Sequence, residues 1–203
     1  MTNMSSPLKA LLKWMSRSGD TPLFHITEKP YLGKILEDDE LRRSEMRGPF
    51  VSLTRNPRYH GWNPEGHDVQ LILSKDSISK RHPLRPIEEP RNPRLTEERE
   101  ERIPRTALTS LSDHLRGINY VDSGRSLFDN NILIQDPEHR KQYITEYLNE
   151  LSIPKDVPVL YKGEALSPPK YGLDLFRNIP PPGYTLEQLH GLSPEELGKM
   201  IDR

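Results

Sequence analysis

Prolines divide this chain into short segments. The sequence carries 20 prolines in 203 residues, roughly twice the usual share. Because proline lacks the backbone N–H that helices and central strands need, we expect short elements with extended connections and no long uninterrupted helix. The 12 glycines are too few for collagen-like or Gly/Ser-rich chains. A length of 203 residues with 33% hydrophobic residues is enough for the core of one ordinary domain with tails, but not for two full domains.

The charge balance and the absence of cysteine exclude several classes of function. Lys and Arg number 29 against 30 Asp and Glu, so nucleic acid or an anionic membrane cannot be bound through bulk charge and must be recognised locally. Without cysteine there are no disulfides, thiolate zinc sites or cysteine nucleophiles, which suits a reducing compartment. No apolar run approaches the roughly 18 to 20 residues of a membrane span, and no signal peptide is evident. We therefore expect a cytoplasmic protein without a membrane partner.

The chain is predicted to contain an N-terminal helical arm (1–20), one domain (21–163) and a proline-rich extended tail with short helices (164–203). The arm has apolar residues at helical spacing and is expected to pack on its own domain; the alternative is a basic arm for a partner or a lipid surface. In the tail, capping boxes at Thr185–Gln188 and Ser193–Glu196 predict the short helices. Its prolines are typical of a segment that lies along a protein partner.

Residue patterns within the domain predict an early series of short strands. Apolar or alternating runs at 23–27, 50–55 and 68–73 favour strands, with a helix at 31–36 between the first two. Asp136-Pro137 is typical of a capped helix start. Val157–Tyr161 is predicted to be an edge strand, since Pro158 cannot donate to a ladder. The polar, proline-rich residues 80–105 are expected to be an exposed excursion.

Three polar groups of residues interrupt these patterns. They are His25 and Thr27 on the first strand, Ser52, Thr54 and Arg55 on the second, and the run 98–103, Glu-Arg-Glu-Glu-Arg-Ile. Each alone is more often structural: a histidine in an apolar strand is usually a hydrogen-bonded core residue, and a Glu/Arg run is usually a solvated segment.

Taken in order, these pieces resemble the ADP-ribosyltransferase superfamily, within it the histidine-containing branch of DNA-modifying toxins and phage-encoded relatives. The resemblance covers about residues 22–163 and is best at 23–41, 50–57, 69–79 and 98–103. It implies an α+β fold: a split, curved, mixed β-sheet with flanking helices. It also implies transfer of ADP-ribose from NAD, as substrate, to a macromolecular acceptor, either nucleic acid or protein.

The resemblance implies roles for three glutamates. Breaking the bond between ribose C1′ and the nicotinamide nitrogen passes through an oxocarbenium-like state that a nearby carboxylate stabilises. The family's Glu-x-Glu spacing matches Glu98 and Glu100, which makes Glu100 the catalytic residue and Glu98 the residue that orients the acceptor. Glu101 competes for the catalytic role, because a one-residue change of register moves a side chain to the opposite face of a strand.

The same resemblance implies a set of NAD-binding residues. His25 is expected to bind the adenine-side ribose, and Thr27 to help hold the dinucleotide. Ser52 is expected to pack below the nicotinamide ribose, with Thr54 beside it on the same strand. Arg55 either pairs with the pyrophosphate or is a surface charge at a strand end. Tyr31 or Tyr59 is a candidate to stack on nicotinamide. No glycine-rich dinucleotide or P-loop motif is present, and the histidine spacing does not support a metal site.

One departure from the family keeps other functions open. Pro104 follows directly on the strand that should carry the glutamate, so either this strand is short and bulged or the site has decayed. The alternative function is that of a non-enzymatic structural or assembly protein on the same fold, for example a phage virion component; an NAD-using RNA 2′-phosphotransferase is a third. The loop 58–62 and the arginine-rich stretch 81–94 offer cationic and stacking groups to DNA or RNA.

Overall fold

The computed structural model describes residues 6–43, 50–57, 68–86, 100–104, 107–122, 127–129 and 132–166. Three features predicted from the sequence lie outside these ranges: Glu98, the loop that contains Tyr59, and the short helices of the proline-rich tail.

Short strands and helices alternate along the described residues. In chain order they are α1 (Ser6–Arg17), β1 (Pro22–Thr27), α2 (Lys29–Asp38), β2 (Glu40–Leu41), β3 (Phe50–Thr54), β4 (Val69–Ser74), α3 (Lys75–Ser79), β5 (Arg85–Pro86), β6 (Glu100–Pro104), β7 (Leu108–Thr109), α4 (Leu111–His114), β8 (Leu115–Tyr120), β9 (Leu127–Asp129), β10 (Ile132–Ile134), α5 (Pro137–Glu150), β11 (Val159–Tyr161) and β12 (Glu164–Ala165). None of the helices in these ranges is long and apolar enough to cross a membrane. The predicted strands at 23–27, 50–55 and 68–73 and the helix at 31–36 are confirmed.

The main sheet is mixed, as predicted for an α+β fold. In the described part of the chain it has eight strands in the order β12-β11-β8-β4-β1-β3-β6-β5. β11 and β8 are parallel, whereas the other neighbours are antiparallel. A bulge between Ile72 and Leu73 shifts the register of β4 against β8, and such bulges bend a sheet.

The sheet is split between β1 and β3. β1 pairs with β4 along its whole length, from Pro22 to Thr27. With β3 it shares the single register pair Phe24–Thr54. The sheet therefore consists of a larger half ending at β1 and a smaller half of β3, β6 and β5, which confirms the predicted split.

Each face of the larger half is covered by apolar packing. Phe24 and Ile72 face α1, whose Leu8, Leu11 and Met15 are buried against them. The opposite face packs into the larger core with residues of α2 and α5. The expectation that the N-terminal helix docks on its own domain is confirmed.

α5 begins where its capping residues predict. The Asp136 carboxylate accepts a hydrogen bond from the His139 backbone N–H at 2.8 Å, and Pro137 occupies the first turn. Ile144 and Leu148 then bury the inner face of the helix.

The prediction that residues 80–105 form one exposed excursion is wrong at its C-terminal end. β6 lies between β3 and β5, and Ile103 is fully buried there. Hydropathy does not reveal this strand, because two of its buried residues are glutamates. Pro104 does not interrupt it: this residue is the last of β6 and pairs with Phe50.

The prediction that Val157–Tyr161 is an edge strand is also wrong. The strand begins at Val159 and is flanked by β8 on one side and β12 on the other. Pro158 precedes the strand, so its missing N–H breaks no ladder bond, and its carbonyl accepts from the Ile118 N–H at 2.9 Å. The edge is formed instead by the two-residue strand β12.

Candidate active site

The pairing of β3 with β6 gathers polar side chains on one face of the smaller half-sheet. Ser52 lies opposite Arg102, and Thr54 lies opposite Glu100. Directly opposed residues of an antiparallel pair project to the same face. Glu101 lies opposite Leu53 and therefore projects to the other face.

The Glu100 carboxylate is buried and held by three donors. The Ser52 hydroxyl donates to Oε1 at 2.7 Å. The Arg102 guanidinium adds a two-point contact, from Nε to Oε1 at 2.9 Å and from Nη2 to Oε2 at 2.8 Å. Glu100 is only 4% exposed, and a buried carboxylate is tolerated when it is paired and hydrogen-bonded in this way.

Arg102 is the site residue that the sequence analysis missed. Its guanidinium carbon lies 4.0 Å from the centre of the Phe50 ring, so it is fixed by stacking as well as by Glu100. The signal was present in the sequence: residues two apart in a strand share a face, so a strand that presents Glu100 also presents Arg102.

His25 joins this group across the split. Its Nδ1 lies 3.0 Å from the backbone carbonyl oxygen of Ser52. In the tautomer that carries a proton on Nδ1, the imidazole donates to this carbonyl. Ser52 therefore contacts both other residues: its carbonyl binds His25 on the larger half-sheet, and its hydroxyl binds Glu100 on the smaller one.

The two threonines of the predicted NAD-binding set are both buried. Thr54 shares the face of Glu100, and its Oγ1 accepts from the Asn56 backbone N–H at 3.0 Å where β3 ends. Thr27 lies two residues after His25 and therefore on the same face of β1. The register pair Phe24–Thr54 places Phe24 on the face of Thr54 and Glu100, so His25 and Thr27 project to the opposite face of the sheet.

Glu101 forms a separate ion cluster on the opposite face. This carboxylate is 1% exposed. Lys75 Nζ lies 2.6 Å from its Oε1, and Arg55 Nε lies 3.4 Å from the same oxygen. The structure thus pairs Arg55 with Glu101, while Ser52 contacts His25 through its backbone carbonyl and Glu100 through its hydroxyl. Tyr31 is 59% exposed on α2.

The geometry provides a fixed negative charge with remaining hydrogen-bonding capacity. Oε2 of Glu100 accepts one bond, from Arg102, among the described residues. A carboxylate oxygen has two lone pairs, so a hydroxyl group can also bind there. Such a charge stabilises a cation that develops beside it at no cost of reorganisation.

Two other groups, Asp122 and His114, have shifted pKa values. Burial favours the protonated form of Asp122, but hydrogen bonds from Arg140, Tyr161 and Lys162 outweigh it and lower the pKa of the carboxyl to about 2. Burial, reinforced by the neighbouring Arg81 charge, lowers the pKa of the His114 imidazole.

Comparisons with known proteins give one distant similarity. No family model matches the sequence, and no curated protein matches it. Among solved structures, DarT from Thermus sp. 2.9 in complex with ADP-ribosylated ssDNA is similar at 14% identity. The match covers 70% of this chain and 94% of that chain, with a TM-score of 0.40.

Proposed function

We propose that this chain transfers ADP-ribose from NAD to a macromolecular acceptor. The observation that carries the proposal is the pair of contacts made by Ser52, which link a histidine and a buried glutamate across the split of the sheet. The family resemblance implies these residue types at these positions, and they come from three separate strands, β1, β3 and β6.

The chemistry needs one carboxylate beside ribose C1′. The bond from C1′ to the nicotinamide nitrogen breaks, its electron pair leaves with neutral nicotinamide, and positive charge spreads over C1′ and the ring oxygen. The Glu100 carboxylate stabilises this cation. A nucleophile of the acceptor then forms a bond to C1′ and loses its proton to solvent or a nearby base. Ser52 and Arg102 hold the carboxylate in place throughout.

The remaining NAD contacts are proposed as follows. His25 and Thr27 bind the adenine-side ribose and the adjoining part of the dinucleotide, while Ser52 and Thr54 lie below the nicotinamide ribose. Arg55 reaches the pyrophosphate only by exchanging its contact with Glu101, which its partly exposed side chain permits.

Two more residues are proposed to act around this core. Tyr31 is sufficiently exposed to stack on nicotinamide. Glu98 is proposed to orient the acceptor.

The test is transfer of label from NAD. Purified protein is incubated with NAD labelled in its adenylate part and with separate pools of single-stranded DNA, duplex DNA, RNA and protein. The wild type is expected to label one pool, and Glu100→Gln is expected to lower the rate by about 100-fold or more. Glu101→Gln makes the same change one residue away on the opposite face, and it separates the loss of the Glu100 carboxylate from the loss of any buried charge in β6.

Two outcomes would overturn the proposal. One is labelling by Glu100→Gln at the wild-type rate while Glu101→Gln abolishes it. The other is a wild-type protein that neither binds NAD nor labels any pool. Circular dichroism of each variant ensures that rates are compared between folded proteins.

A further inference from the structure

Two arginines face each other next to Glu100. In the pairing of β5 with β6, Arg85 lies directly opposite Arg102. Directly opposed side chains lie on the same face, with Cβ atoms about 5 Å apart, and like charges in that position destabilise a sheet. The Glu100 carboxylate neutralises Arg102 from one side, so the charge that remains to be balanced at this position is that of Arg85.

Both arginines have guanidinium N–H donors that no residue in the described ranges occupies. Arg102 uses Nε and Nη2 to bind Glu100, and within the described residues its Nη1 makes no hydrogen bond. Arg85 is exposed and makes no ion pair with any residue that the structure describes. Guanidinium groups are the preferred partners of phosphate oxygens, because their planar donors match the spacing of these oxygens.

We propose that Arg85 and Arg102 form a phosphate subsite that binds the backbone of a nucleic-acid acceptor. The inference rests on the proposed function and adds the class of acceptor and the side from which it approaches. It uses the order of strands in the sheet: β1 with His25, β3 with Ser52, β6 with Glu100 and β5 with Arg85.

This order separates the new subsite from the pyrophosphate of NAD. If the dinucleotide extends from His25 to Glu100, its pyrophosphate lies between β1 and β6. Arg85 lies on β5, the end strand of the described sheet, beyond Glu100 and outside the span from β1 to β6. A phosphate bound there would therefore belong to the acceptor, which approaches C1′ from beyond β6, and not to NAD.

The test compares binding of two probes to Arg85→Gln. One probe is a fluorescein-labelled 12-nucleotide single-stranded DNA, and the other is NAD. The variant is expected to bind the oligonucleotide about 3- to 10-fold more weakly. The slope of log affinity against log salt concentration should also become smaller, by the amount that corresponds to about one phosphate contact. NAD affinity is expected to stay within twofold of wild type.

Two controls distinguish a specific phosphate contact from a general loss of positive charge and from contacts to the bases. Arg42→Gln removes the same charge from an exposed arginine that pairs with Asp38 and Glu40, and it should leave oligonucleotide affinity unchanged. An uncharged peptide nucleic acid of the same sequence should bind wild type and Arg85→Gln equally. The melting temperature of Arg85→Gln should equal or exceed that of wild type, because a repulsion has been removed.

Three results would overturn the subsite. They are oligonucleotide affinity unchanged in Arg85→Gln, a loss confined to NAD affinity, and a loss confined to the labelling of a protein acceptor. Failure of the proposed function gives a different result: the oligonucleotide still binds through Arg85, but nicotinamide is not released from NAD.

Discussion

At the residue scale, Ser52 has two functions that can be separated. Its backbone carbonyl binds His25, and its hydroxyl binds Glu100. A side-chain substitution removes the second contact and leaves the first.

Ser52→Ala is therefore expected to lower kcat by about tenfold, the effect of losing about 1.4 kcal/mol of carboxylate positioning. The KM for NAD should change by less than threefold, since the carbonyl that binds His25 remains. Steady-state nicotinamide release measures both constants. A KM that rises while kcat is unchanged would show that the hydroxyl binds substrate and does not position Glu100.

His114 makes the stability of the protein depend on pH. The ring is fully buried, its Nδ1 lies 2.7 Å from Ser77 Oγ, and its Nε2 has no hydrogen-bond partner among the residues that the structure describes. Burial lowers the pKa of this imidazole from 6.5 in the folded protein. The unfolded chain therefore binds more protons just below pH 6.5, and the free energy of unfolding falls as the pH drops through that value.

Urea unfolding between pH 7.5 and 5.5 tests this effect. The wild type is expected to lose stability on acidification more steeply than His114→Asn, whose amide can still bond Ser77 but does not titrate. Identical pH dependence in the two proteins would contradict the assignment.

At the scale of elements, β6 is positioned by contacts on both of its faces. Glu100 is bound on one face by Ser52 and Arg102, and Glu101 is bound on the other by Lys75 and Arg55. Because a slip by one residue would exchange the two glutamates, the Glu101 cluster also determines which carboxylate reaches the candidate site.

Lys75→Ala is expected to lower the free energy of unfolding by about 3 kcal/mol, because it leaves the buried Glu101 carboxylate with only the longer contact to Arg55. Glu101→Ala should cost less, since the two cations it leaves behind are partly exposed and can be hydrated, and Arg55→Ala should cost about 1 kcal/mol or less. Urea titrations of the three variants measure these differences. An equal loss in all three would mean that the cluster acts as one buried unit.

The sequence patterns predicted the elements whose signals are local. β1, β3 and β4 follow from apolar or alternating runs, and α5 follows from Asp136 and Pro137. The family resemblance implied a strand at β6, but the residue pattern alone predicted an exposed segment, because the burial of β6 depends on ion pairs with distant residues such as Lys75. The pairing of Arg102 with Glu100 is local, but a Glu/Arg run is equally typical of a solvated segment, so the sequence alone does not single out Arg102.

At the scale of the whole molecule, the candidate site lies where the two half-sheets meet. The formal charge is only −1, so recognition of an anionic acceptor depends on local groups such as Arg85 and Arg102. A single register pair joins β1 to β3, and the contact between His25 and Ser52 adds a side-chain link at that junction. The residues that the resemblance selected thus also help to hold the halves together.

The most direct test of the central claim is single-turnover release of nicotinamide from NAD by wild type and Glu100→Gln, with NAD affinity measured on the same samples. We expect release by the variant to be slower by about 100-fold or more, with NAD affinity within threefold of wild type. Equal rates of release would show that the Glu100 carboxylate is a structural charge and not the catalytic one.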